Sequence, residues 1–206
     1  MTRRIEVAVL ISGRGSNMAS LIEAAAATDY PARIRVVISD RPDAGGLSAA
    51  RASGVETLAI DARAAGGRTA FEAALDAALR ARGIELICMA GFMRILSADF
   101  VGRWRGRALN IHPSLLPAYK GLDTHARALG EGAREHGCTV HWVTPELDSG
   151  EIIAQARVPV PPGDDPNSLA ARVLVEEHKL YPSALRDVCF GMLVGQCGLG
   201  SLSTAR

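Results

Sequence analysis

No uninterrupted apolar run in this chain approaches the roughly 20 residues that a membrane-spanning helix requires, so no membrane span is expected. An excess of one charge is missing too. With 23 Lys and Arg against 22 Asp and Glu, the formal net charge is +1. That is too little to gather nucleic acid or an anionic membrane, and small polar metabolites are the more natural partners. The four cysteines, Cys88, Cys138, Cys189 and Cys197, show no close metal-type pair, and no metal site is expected. Arg3 and Arg4 precede an apolar run, but Glu6 interrupts it and Gly13 ends it. A signal peptide is therefore not expected, and the reading is a cytoplasmic protein whose cysteines stay reduced. Internal repeats, low-complexity tracts and heptad seams are absent as well.

What is present is a chain of 206 residues, suited to one α/β domain with a core of its own. The spacing predicts a single domain over residues 1–190 and a loosely held Gly-rich tail over 191–206. IEVAVLI (5–11) reads as a strand, followed by a loop and an Ala-rich helix that Ser16 or Asn17 could cap, with Leu21 and Ile22 in its buried stripe. IRVVISD (34–40), VETLAI (55–60), IELICMAG (84–91) and ALNIHP (108–113) read as further strands. Helices are expected over 46–53, 69–82, 97–104 and 123–131. Such alternation implies a mostly parallel twisted sheet with helices on both faces, a Rossmann-like α/β fold. Beyond Gly121 the runs CTVHWVT (138–144) and EIIAQARVPV (151–160) are separated only by PELDSG. A link that short joins antiparallel strands, so the sheet should become mixed towards the C-terminus, before a long helix over about 167–189.

Gly13-Arg14-Gly15-Ser16-Asn17 lies where the first strand meets the first helix, and its N–H groups and helix dipole suit an anion. A dinucleotide fingerprint would need a third glycine where Met18 stands, and no Walker-type lysine follows. The loop therefore fits a phosphomonoester better, although Asp40, at the end of the second strand, keeps a nicotinamide-dependent oxidoreductase open as a distant alternative. A simple tight turn would look the same.

Asn110 and His112 alternate onto one face at the carboxyl end of a core strand, the edge where α/β proteins bind ligands. Asp148, in the short turn after the next strand, can return beside His112. Together the three suit attack of an amine on an acyl carbon. Asn110 and a protonated His112 would donate to the oxyanion, and Asp148 would support the histidine and receive protons. Spacing alone is equally met by a structural Asn–His pair at a Pro turn.

The segments ALNIHPSLLPAYKG, LISGRGSN and MAGFMRILS, with THARAL, ELDSG and EEHKLYP in the same order, resemble the folate-dependent formyltransferases over roughly residues 5–185. The resemblance implies a formyltransferase form of the Rossmann-like fold, with 10-formyltetrahydrofolate as formyl donor and co-substrate. It implies a catalytic trio of Asn110, His112 and Asp148. Gly15, Ser16 and Asn17 would hold a substrate phosphate, and Glu177 would lie beside the ribose and amine. Met93, Arg94, Ile95 and Leu96, with Asn110 and a more loosely aligned Arg68, would receive the folate. The short chain and the GRGSN loop imply the amine of glycinamide ribonucleotide as acceptor, in purine biosynthesis, by a monomer or a homodimer. Formyltetrahydrofolate hydrolysis and formylation of methionyl-tRNA or a sugar nucleotide remain alternatives, though extra domains for them are not expected here. A non-catalytic metabolite-binding module is the other distant one. Lys120 and His125 stand near the signature with no settled role, and His136, His141 and His178 are taken as structural.

Overall fold

Six of the seven residues of IEVAVLI are buried, because this run forms β1 (Ile5–Ile11) near the middle of a seven-stranded sheet. The structure is a computed structural model that describes residues 3–195. β2 (Ala32–Ser39), β3 (Glu56–Ala59), β4 (Leu86–Met89) and β5 (Ala108–His112) all run parallel to β1. β6 (Glu135–Trp142) pairs antiparallel with β5 and β7 (Ile152–Pro159) antiparallel with β6, the second pair as the short PELDSG link requires. The strand order is β3-β2-β1-β4-β5-β6-β7. Successive strands step one way from β1 to β3 and the other way from β4, so a crevice opens at the carboxyl ends of β1 and β4.

Two apolar layers cover the sheet. Ile5, Val7, Val9 and Ile11 of β1 face one layer, with Met18 and Leu21 of α1 (Ser16–Ala25), Leu47 of α2 (Gly45–Ala52) and Tyr181 and Leu185 of α6 (Pro166–Leu193). Ala8 and Leu10 face the other, with Phe71, Leu75 and Leu79 of α3 (Arg68–Ala81) and Phe100 of α4 (Ala98–Arg103). A strand period of two against a helical period of 3.6 is what lets one buried strand feed both layers. The remaining helix, α5 (Thr124–Gly130), joins the loop after β5 to β6.

Two helix ends differ from the sequence reading. Neither Ser16 nor Asn17 caps α1. Gly15 occupies the cap position in a left-handed conformation, φ 75°, without a side-chain cap bond, and Asn17 turns inward to Glu177 instead. The first N–H groups of α1 are thus left facing outward from the loop. At the other end of the chain α6 runs to Leu193, past the expected stop near Cys189 and through the start of the expected tail. The rest of that tail, 196–206, lies outside the described residues. Asp165 caps α6 by accepting from the N–H groups of Asn167 and Ser168, and Pro166 fits the first turn, where no N–H partner is needed.

The glycine loop is held by close backbone packing. The N–H of Gly46, at the start of α2, donates to the Gly13 carbonyl at 3.0 Å. A Cβ on Gly46 would stand 2.5 Å from Ile11 Cδ1 and 3.0 Å from that carbonyl oxygen. Gly46→Ala should therefore lower stability by about 1–3 kcal/mol, the usual cost of overpacking. Urea unfolding measures it, and an unchanged midpoint would show that the loop yields freely.

Candidate active site

Strand alternation on β5 sends Leu109 and Ile111 into one apolar layer and turns Asn110 and His112 to the opposite side, where they line a cleft. His112 is 5% exposed. Its Nε2 lies 2.9 Å from the Tyr119 carbonyl, and since a carbonyl only accepts, Nε2 carries a proton and donates. Its Nδ1 faces Asp148 Oδ2 at 3.4 Å. Asp148 itself is fixed from behind, because Oδ2 accepts from the Gly121 N–H at 2.9 Å. The PELDSG turn therefore does bring Asp148 to His112, as the sequence suggests.

Asp148 has φ 47°, and Tyr119 and Asp123 of the facing loop also sit at positive φ, 55° and 57°. Left-handed backbone at a residue other than glycine costs on the order of 1–3 kcal/mol and persists only where the surroundings enforce it. Here Asp148 lines the cleft, and Tyr119 and Asp123 flank the lining residues Gly121 and Leu122. A carboxylate aimed at His112 and a carbonyl that accepts from it are held by strained turns.

His141, taken as structural from sequence, belongs to this group. The β5–β6 register places it directly opposite Asn110, and its Nε2 is 3.2 Å from Asn110 Nδ2. Its Nδ1 donates to the Trp142 carbonyl at 2.9 Å, so Nε2 of the neutral ring is an acceptor. Burial lowers the His141 pKa and outweighs the Asp148 carboxylate, which pulls the other way from 3.7 Å. A neutral ring beside that carboxylate is no ion pair. It is an acceptor for one Asn110 N–H, leaving the second to point elsewhere. Only the antiparallel register reveals this role, and the pattern CTVHWVT alone does not contain it.

The cleft has a volume of about 330 Å³, and Met93, Arg94, Ile95 and Leu96 form one wall with Leu147 opposite. Met93 and Ile95 are 70% and 68% exposed, so these are not core side chains. The Arg94 guanidinium lies over the Phe71 ring at 5.1 Å and 3.8 Å from Asp40. Asp40 thus faces an arginine rather than the ribose pocket of a dinucleotide site. Arg68 stands apart: it opens α3, is exposed, and is not among the residues lining the cleft. A larger hollow of about 530 Å³ lies among Arg33, Arg35 and Arg51. Those guanidinium groups are engaged by Glu6, Glu56 and Thr57, and no acid–base pair accompanies them.

Gly15, Ser16 and Asn17 form the start of α1 outside the cleft, joined to it through Ser12, whose Oγ accepts from the Met93 N–H at 2.8 Å. Asn17 Nδ2 donates to Glu177 Oε2 at 2.7 Å. Burial raises the Glu177 pKa, and this bond partly opposes the shift. Asn17 Oδ1 is buried without a partner. An acceptor pair of this kind beside open helix N–H groups suits a ligand that carries both donors and an anion.

Lys120 is exposed and donates to Ser149 Oγ at 2.7 Å, tying the loop after β5 to the PELDSG turn. His125 and His136 form a second imidazole pair, Nδ1 to Nε2 3.1 Å, beneath the Tyr119 ring. His178 is partly buried on α6. Among the described residues no group of His, Cys, Asp and Glu could hold a metal, and no helix is long and apolar enough to cross a membrane.

Polar donors, a carboxylate and a neutral imidazole converging on an apolar cleft at a sheet's carboxyl edge are an arrangement that group-transfer chemistry can use, where charge develops on an oxygen. The chain belongs to the formyl transferase family, whose model matches residues 5–185. It is 46% identical to the phosphoribosylglycinamide formyltransferase of Escherichia coli K12 over 92% of this chain and 89% of that one. A crystal structure of phosphoribosylglycinamide formyltransferase from Brucella melitensis superposes with a TM-score of 0.88 at 47% identity, covering 98% of this chain and 100% of that one. The trifunctional purine biosynthetic protein adenosine-3 of Gallus gallus is 46% identical over 96% of this chain. This chain spans about a fifth of that protein's length, 20%.

The His125–His136 pair gives the fold a dependence on pH. Burial, then the neighbouring His125, push the His136 pKa down from 6.5 to about 4. Between those values the unfolded chain binds a proton that the folded chain does not, so stability falls as pH drops from 6.5 towards 4 and levels off below. The loss from this group should reach roughly 3 kcal/mol. Denaturant titrations between pH 7 and pH 4 test it: His136→Asn should flatten the slope, and an unchanged slope would remove the pair as its source.

Proposed function

We propose that this protein transfers the formyl group of 10-formyltetrahydrofolate to the amine of glycinamide ribonucleotide, a step of purine biosynthesis. The observation that carries the reading is the junction of two half-sites. An anion-suited loop with the Asn17–Glu177 pair meets an apolar cleft that ends on Asn110, His112 and Asp148. The likeness to full-length relatives of that name supports it.

In this reading the N–H groups at Gly15, Ser16 and Asn17 hold the phosphate at the start of α1, and Glu177 receives donors from the ribose and amine. Met93, Arg94, Ile95 and Leu96 receive the folate through apolar contact and backbone groups, with Arg68 reserved for the outer, anionic end of that molecule. Amine and formyl carbon meet beside Asn110, and much of the acceleration comes from holding them there.

The amine lone pair forms the new C–N bond, and the carbonyl pair moves onto oxygen. Asn110 stabilises that oxyanion with the amide N–H that His141 does not take. His112 joins it only by releasing the Tyr119 carbonyl, so the loop that carries Tyr119 must yield when substrates are in place. The proton lost by the amine passes towards Asp148. The bond to the folate nitrogen then breaks, and that nitrogen takes the electron pair and a proton. Neither a metal nor a covalent enzyme intermediate is needed.

Absorbance-monitored turnover of 10-formyl folate, with and without glycinamide ribonucleotide, tests the assignment. Loss of the formyl group only with the ribonucleotide is expected. Loss without it would make the protein a hydrolase, and none at all would return the binding-module and oxidoreductase readings. Asp148→Asn should lower kcat by about 10²–10⁴, the usual range for a general acid–base group, and shift its pH profile while donor binding survives. His141→Ala should lower kcat by about tenfold to a hundredfold through a misdirected Asn110 amide. An unaltered kcat would show that the imidazole only fills space.

A further inference from the structure

We infer that Glu72, a buried residue of α3 remote from the reacting groups, is the positioning residue that sets the backbone of the folate wall, Met93 to Leu96. This rests on the reading that the wall receives the formyl donor. Glu72 is 4% exposed, and both of its oxygens are used on one residue. Oε1 accepts from the Ser97 N–H at 2.7 Å, and Oε2 accepts from the Ser97 hydroxyl. Ser97 Oγ in turn caps α4 by accepting from the Phe100 N–H at 3.2 Å.

Ser97 directly follows Leu96, so these bonds fix the far end of the wall. Its near end is fixed by Ser12, whose N–H donates to the Gly91 carbonyl at 3.1 Å and whose Oγ accepts from Met93. Between the two anchors Met93 and Ile95 are largely exposed, and the stretch belongs to no strand of the sheet, although Leu96 turns into the second apolar layer. A segment that is neither strand nor helix keeps its shape through whatever side-chain and end contacts it makes, and here the end contacts set its backbone. Asp40 and the Phe71 ring hold the Arg94 side chain in between, one from each side.

A charged group used in this way has a definite chemical purpose. A carboxylate with two lone-pair faces can take the backbone N–H and the hydroxyl of one serine together, which a neutral side chain matches only in part. Burial of Glu72 is a cost that packing alone would not call for, since Leu75 and Leu79 on the same helix already fill the layer.

Steady-state kinetics on the full chain separate this role from a structural one. Ser97→Ala and Glu72→Ala should each raise KM for the formyl donor about tenfold or more, with kcat and the ribonucleotide KM changed by less than about threefold, because positioning is lost only on the folate side. Glu72→Gln, which keeps one acceptor for the Ser97 N–H, should recover most of the donor KM. The double variant Glu72→Ala/Ser97→Ala should be no worse than the poorer single variant, since the two residues act as one unit. If Glu72→Ala does not fold, Ser97→Ala and Glu72→Gln carry the test. An unchanged donor KM in Ser97→Ala, or donor and ribonucleotide KM values rising together, would overturn the inference. Ile95→Ala is the control on the underlying reading. If it raises the donor KM while Ser97→Ala does not, the positioning role fails alone; if neither does, the folate wall is misassigned and the inference falls with it.

Discussion

Antiparallel pairing of β6 with β5 governs what can meet at the carboxyl edge of the sheet. Had β6 been parallel, its crossover would have carried the chain over a face of the sheet, and its side chains would have entered the cleft from another strand end. As built, β6 runs back along β5, putting His141 opposite Asn110, and the turn that follows returns Asp148 to His112. Three contacts between four side chains thus follow from one strand reversal. The same reversal brings the Ser149 hydroxyl under Lys120, closing the cleft's rim with a side chain from each turn.

Protonation within that group is set by hydrogen-bond partners and burial. A backbone carbonyl obliges His112 to keep a proton on Nε2, and another obliges His141 to keep one on Nδ1. His141 is then an acceptor towards Asn110, and burial keeps it neutral next to a carboxylate that would otherwise charge it. Had His141 been charged, both ring nitrogens would donate and the Asn110 amide would have to reverse, turning its oxygen inward and withdrawing the N–H that an oxyanion needs. The neutrality of one imidazole is therefore a condition on the usefulness of its neighbour.

Much of this was legible in the sequence, and for different reasons in each part. β1 was read to the residue because an apolar, β-branched run bounded by Ser12 and Gly13 has few other solutions. The antiparallel return of β7 along β6 followed from the length of PELDSG, whereas the reversal of β6 against β5, reached through a long loop and α5, did not. What escaped depended on backbone conformation or register. Gly15 took the cap from Ser16 because its left-handed φ turns the chain into the helix without a side-chain bond, which composition alone does not announce. α6 passed through Gly191 because its last turns pack against the first apolar layer, through Met192 and Leu193, and tertiary packing outweighs the helix cost of one glycine. His141 looked like any strand histidine until a partner strand was aligned with it.

Exposure was the feature that pattern reading handled least well. By residue type Met93 and Ile95 belong in a core, and without the resemblance to formyltransferases they would be placed there. They are exposed because the segment leaves β4 at Gly91, φ 74°, and runs along the edge of the second layer, into which Phe92 and Leu96 turn while Met93 and Ile95 face the cleft. Such groups are wet in the folded and the unfolded chain alike, so they contribute little to folding, and their apolar area is released from water only when something covers them. In the proposed reading that uncovered wall, together with the polar group at the inner end of the same cleft, suits a molecule with a flat apolar body and a reactive polar tip, whereas a purely polar metabolite would leave half of it unused.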